Sequence, residues 1–236
     1  MTASIATVPA AVARIAPAGN PTPRQVRRIL LDMALRRQKP GTGSSEEFMR
    51  RRTAMRPWPD LRPILSGLRW AVVGGVATRA YMPERATKGL DIIVHPQDAD
   101  EAWQRLKAAN FTFVSDLAMP GFLIRTREGI ELDVIVGRYA WIEEALRQPE
   151  QDPAGFPVVG LPYLVIMKLA ASRGADFGDL TRLLGLASDE QLAAVRQAVQ
   201  RNAPEDSGDL ETIIRLGRRG MQFPSAHDSS EGQAEE

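Results

Sequence analysis

The stretch Trp70-Ala-Val-Val-Gly-Gly-Val-Ala-Thr-Arg-Ala-Tyr-Met-Pro-Glu-Arg-Ala-Thr-Lys-Gly-Leu-Asp-Ile-Ile-Val94 decides how the rest of the chain is read. An apolar run reads as a buried strand over Leu68–Val73 and leads into Gly74-Gly75. A short helix is expected next, then a second strand over Leu90–Val94 that carries Asp91. Glycine permits positive φ and lets backbone N–H groups approach an anion with no Cβ in the way. A helix N-terminus behind such a turn adds a positive dipole end. The bland alternative is a tight strand-to-helix turn with no ligand. Side chains alternate along a strand, so 89, 91 and 93 face one way. Asp91 is therefore a charge within Leu-Asp-Ile-Ile-Val, which burial penalises unless a metal, an arginine or water answers it.

Further strands are expected at Phe111–Ser115, Phe122–Arg127 and Ile130–Val136, the last two flanking the hairpin signal Glu128-Gly129. In Ile130-Glu-Leu-Asp-Val-Ile-Val136 the apolar residues 130, 132, 134 and 136 share one face, which leaves Glu131 and Asp133 on the other. If this strand lies beside Leu90–Val94, Asp91 and Asp133 converge. Helices are expected at Asp98–Asn110 and Tyr139–Arg147, and Pro157–Val159 reads as a short edge strand. From Pro162 onward the pattern is helical, with Pro162 suited to a first turn and Ser188-Asp-Glu-Gln191 at capping-box spacing. Strands followed by helices give an α+β domain.

The resulting organisation is a disordered N-terminus (1–22), a basic helical extension (23–59), a main domain (60–220) and a disordered tail (221–236). The main domain divides into a sheet core (60–160) and a C-terminal helical cap (161–220). Within the extension, Val26, Ile29, Leu30 and Met33 recur at helical spacing, and Ser45 suits the cap of a second basic helix through Met55. The overall charge of +1 hides an imbalance: residues 1–60 hold eleven basic and four acidic residues. Such an arm either meets nucleic-acid phosphates or is a solvated helical face. The chain has no cysteine, which excludes disulfides and thiolate chemistry. No apolar run reaches the ~20 residues of a membrane span, and no secretory h-region opens the chain. A cytoplasmic protein with no membrane partner is expected.

Gly74-Gly75 followed by Arg85-Ala-Thr-Lys-Gly-Leu-Asp91 resembles the opening motif of the nucleotidyltransferase superfamily, in particular the AbiEii-like toxin type of minimal nucleotidyltransferase. The resemblance covers roughly Leu68–Leu184. It implies a nucleotidyltransferase-like mixed sheet with a helical cap. It also implies Mg²⁺-dependent transfer of a nucleoside monophosphate from an NTP to a hydroxyl of RNA (such as tRNA) or of a protein, with an antitoxin as partner. Carried over residue by residue, Asp91 and Asp133 would be the catalytic, metal-holding acids. Gly74, Gly75, Arg85, Thr87 and Lys168 would bind the nucleotide. Arg173, Asp176 and Asp179 resemble the family's later Arg-x-Lys-Asp-x-x-Asp stretch, with Ala175 in place of the lysine.

One position departs from the pattern: the family's first aspartate is Gly89 here, which by the resemblance implies a degenerate metal site with weakened Mg²⁺ binding. Glu84 and Glu131 are the nearby acids that stand in reach of that loss, and neither occupies the family position. Two further readings stay open. One is a catalytically inactive protein of this fold that binds nucleotide, RNA or a partner. The other is a nucleic-acid adaptor working through its basic arm. For Lys168 the alternative role is snorkelling to a helix edge; for Asp176 and Asp179 it is capping and ion pairing. His95 and the dispersed Trp58, Trp70, Trp103 and Trp141 read as structural, with no stacking ladder in the sequence.

Overall fold

The computed structural model describes residues 10–17, 19–38, 58–83, 87 and 89–221. Its elements are α1 (Ala10–Ala13), α2 (Pro23–Arg37), β1 (Trp70–Val73), β2 (Leu90–Val94), α3 (Ala99–Ala108), β3 (Thr112–Asp116), β4 (Gly121–Arg125) and β5 (Glu131–Val136). They continue with α4 (Ile142–Arg147), β6 (Glu150–Gln151), β7 (Pro157–Val158), α5 (Leu161–Ala171), α6 (Gly174–Leu186), α7 (Asp189–Asn202) and α8 (Ser207–Gly220). The expected second basic helix and the acidic tail lie outside the described residues, as do Glu84, Arg85 and Lys88.

The fold is α+β, with a seven-stranded mixed sheet in the order β3-β4-β5-β2-β1-β7-β6. β2 runs parallel to β5 and β1 parallel to β7, while the other pairs are antiparallel. The central strands are apolar because both their faces are covered: Ala71, Val72, Val73, Ile92, Ile93 and Val94 have no exposed surface. Gly129 takes φ +82° in the β4–β5 hairpin, where Thr126 and Ile130 close the turn. Pro157–Val158 is not the edge strand its proline suggests. Glu150–Gln151 pairs outside it, and Pro157 sits at the strand's first position, where its missing N–H costs least.

Contacts divide the chain into two compact units. One spans Glu46–Ile166 and Ser188–Pro204 and holds the whole sheet with α3, α4 and α7. The other spans Met1–Ser45, Met167–Ala187 and Glu205–Glu236 and holds α1, α2, α6 and α8. The boundary falls within α5.

In the helical unit, Thr22 caps α2 through a reciprocal pair of bonds with Gln25. Arg27 is buried rather than part of a solvated basic face. Its guanidinium donates to Asp206, to Asp209 at 2.9 Å, to the Ser172 hydroxyl at 2.9 Å and to the Leu169 carbonyl. Asp32 meanwhile accepts both Arg14 and Arg36. Part of the arm's positive charge is thus answered within the unit. Within the stretch expected to lack structure, α1 forms one helical turn.

Helices α6 and α8 cross through a pair of glycines. A Cβ on Gly217 would lie 2.3 Å from the Thr181 carbonyl oxygen, and one on Gly185 would lie 2.7 Å from that of Gly217. Both obstacles are backbone and can move only if the helices part. Gly217→Ala is therefore expected to cost about 1–3 kcal/mol, the scale of overpacking. Urea denaturation checks this, with Gly208→Ala, whose Cβ meets nothing within 4 Å, as the control.

Candidate functional site

Asp91 and Asp133 are direct register partners on the parallel strands β2 and β5. They therefore share one face of the sheet, about one strand spacing (~4.8 Å) apart. The row continues to Leu123 on β4 and Val73 on β1. Two residues earlier on β5, on the same face, Arg125 stands beside Glu131, next to the bend at Gly89. Like charges placed side by side across strands repel. This arrangement persists only with positive or hydrogen-bonding groups nearby, and neither aspartate is without a partner.

Gly74 adjoins this pair. It takes φ +67°, and a Cβ there would fall 2.1 Å from Asp91 Oδ2. The anion for which Gly74 makes room is thus the chain's own Asp91 carboxylate. Gly75 needs no such freedom, since its φ of −74° suits any residue. The element that follows is a five-residue 3-10 turn, Val76–Ala80, rather than an α-helix. It carries little of the aligned dipole that the sequence reading counted on. Thr87 donates from its hydroxyl to the Gly89 carbonyl at 3.3 Å, which ties the bend that leads into β2.

At Gly89 no positive φ is needed. A Cβ there would meet the Glu131 carbonyl oxygen at 3.4 Å and the Glu131 Cβ at 3.8 Å, so a side chain fits with little adjustment. Glu131 itself accepts from Arg125 at 2.8 Å, with both side chains nearly half exposed. Sequence reasoning missed Arg125; the hairpin signal at Glu128-Gly129 was the one cue to the β4–β5 register that makes it Glu131's cross-strand partner.

Lys168, Asp176 and Asp179 belong to the helical unit and meet one another there. The buried Lys168 ammonium lies 2.7 Å from Asp179 and 3.5 Å from Asp176. Arg173 adds a 2.7 Å bond to Asp176 and completes a capping box at the start of α6. For Asp176, burial opposes the charge most strongly. The Arg173 hydrogen bond and the nearby Lys168 together outweigh it and hold the carboxyl below its ordinary 3.8. A depressed folded-state pKa gives stability that is complete above the unfolded-state value and is lost as pH falls through the folded one. The loss therefore belongs to the window below about pH 4. Asp176→Asn should shrink the difference in urea midpoint between pH 6 and pH 2.5; an unchanged difference would assign the acid sensitivity to other carboxylates.

Elsewhere, His95 Nδ1 accepts from the Gln97 N–H at 3.2 Å, and its Nε2 lies 2.9 Å from Glu143. Both ring nitrogens are thus used in structure. Trp141 stacks between Tyr139, at 4.6 Å, and Tyr163, at 5.2 Å. The sequence reading saw no such stack, because its third ring comes from a separate helix.

The Asp91–Asp133 pair supplies hard oxygen ligands at one point, which fits Mg²⁺. That ion is usually held by one or two carboxylates together with substrate phosphates. Among the described residues no group of three or more such side chains is assembled. No helix among them is long and apolar enough to cross a membrane.

No protein-family description matches the chain, and no curated protein matches it. Two solved structures of the antibiotic-resistance factor ANT(2'')-Ia superpose on it. The solution structure is 14% identical, covers 64% of this chain and 82% of its own, and gives a TM-score of 0.37. The crystal structure in complex with adenylyl-2''-tobramycin is 18% identical, covers 64% and 87%, and gives 0.35. Both scores are low, and the functional reading below does not rest on them.

Proposed function

We propose that this chain is a nucleotidyltransferase-fold protein of the AbiEii-like toxin type. Asp91 and Asp133 would hold Mg²⁺, and the α-phosphoryl group of an NTP passes to a hydroxyl of RNA or of a protein as the α–β phosphoanhydride bond breaks and pyrophosphate leaves. The observation that carries this reading is the register pairing of Asp91 with Asp133, with Gly74 against the Asp91 carboxylate. Mg²⁺ in such a pair supplies charge neutralisation for the triphosphate. The chain's own part is positioning: Gly74 seats Asp91, Thr87 ties the bend before β2, and Arg85 is assigned to the phosphates by the motif. Phosphoryl-type transfer depends mostly on positioning and electrostatics. Lys168 keeps its assignment to the phosphates only by resemblance, because Asp179 and Asp176 already answer its charge.

The second reading is a non-enzymatic nucleotide-, RNA- or partner-binding protein on the same framework, and Gly89 favours it. Incubation with each labelled NTP, Mg²⁺ and bulk tRNA or lysate separates the two. Transfer by the wild type that disappears in Asp91→Asn supports the enzyme. Transfer that appears only in Gly89→Asp marks a decayed one. Mg²⁺-dependent NTP binding without transfer by either supports the binding protein. An antitoxin partner belongs to the proposal, with co-purification as its check.

A further inference from the structure

We infer, on the basis of the metal-binding reading above, that Glu131 supplies from the adjacent strand the carboxylate that Gly89 lacks. The β2–β5 register begins at Leu90 beside Leu132, and Gly89, just before β2, lies against Glu131, two residues before Asp133 on the same face of β5. A Cβ at 89 would lie 3.8 Å from that of Glu131. The Glu131 side chain therefore starts beside the volume that an aspartate at 89 would fill. The whole glutamate side chain, from Cα to carboxylate, is comparable in length with one strand spacing, which an aspartate does not match. Gly89 leaves that path clear.

The Glu131 carboxylate pairs with Arg125 at 2.8 Å. The two side chains are 46% and 45% exposed, and exposed pairs of this kind contribute little. With a divalent cation held by Asp91 and Asp133, Glu131 would leave this weak pair for the stronger ionic partner. The register thus swaps one carboxylate between neighbouring strands: it is lost at 89 and gained at 131.

Mn²⁺ binding to the full chain without nucleotide, read by the EPR signal of free Mn²⁺, tests this apart from activity. Glu131→Gln is expected to weaken binding by about tenfold or more, the scale on which ligand-sphere changes act. Glu131→Asp keeps the charge but is too short to cross, and should weaken binding nearly as much. Glu131→Gln combined with Gly89→Asp should return the affinity to near wild type. Thermal melts confirm that each variant is folded. Wild-type affinity in Glu131→Gln, with binding lost in Asp91→Asn, would overturn the assignment of Glu131 and leave the aspartate pair standing. Full affinity in Glu131→Asp would overturn it too, by showing that charge rather than ligation matters. No Mn²⁺ binding by wild type or by any variant would overturn this inference together with the metal-binding reading.

Discussion

Lys168→Met is expected to destabilise the protein by about 3–5 kcal/mol, the cost of removing one partner from a buried ion pair. The Lys168 side chain is 3% exposed and those of Asp179 and Asp176 are 0% and 4%. Deleting the ammonium leaves Asp179 with the more distant Arg182, at 4.0 Å, among its ion-pair neighbours. Asp176 keeps Arg173, so most of the loss should trace to Asp179. Lys168→Met combined with Asp179→Leu should recover much of the stability, since an apolar pair of similar volume avoids the desolvation cost. Urea denaturation measures both variants. The result also decides between two roles for this lysine. A phosphate ligand with no structural duty would leave the urea midpoint in place and lower NTP affinity instead.

Gly74→Ala should cost about 2–3 kcal/mol, from the left-handed backbone and from a steric conflict with the Asp91 side chain. At φ +67° the new methyl would fall on the Asp91 carboxylate, 2.1 Å from Oδ2. The carboxylate must turn away, so divalent-metal affinity should fall with stability. Gly129→Ala is the control for backbone strain alone. It shares a positive φ of +82° but meets nothing within 4 Å, and it should lose stability without losing metal. Equal metal binding by both variants would mean that the Gly74–Asp91 contact does not position the acid.

Much of this architecture was legible because alternation and β-branched runs act locally. The apolar set of Ile130–Val136 assigned Asp133 and Glu131 to one face, and β2 begins and ends where Leu90–Val94 predicts. The capping box at Ser188 formed as spaced, with Gln191 returning the bond. What the sequence could not carry was pairing between distant segments. The outer strand beyond Pro157 and the burial of Arg27 against Asp206 and Asp209 both depend on tertiary register. The turn after Gly75 was misread for a local reason. Val76-Ala-Thr-Arg-Ala80 has helical propensity but only five residues before the chain turns toward β2, too few for an α-helix to repay its nucleation.

The central claim is that Asp91 and Asp133 form one metal-dependent nucleotide site. Equilibrium titration of each NTP, with Mg²⁺ and with EDTA, on wild type, Asp91→Asn and Asp133→Asn tests it most directly. The account predicts Mg²⁺-dependent binding by the wild type that is lost in both variants, with all three proteins folded. Binding that persists in EDTA, or that survives in Asp133→Asn, would contradict it.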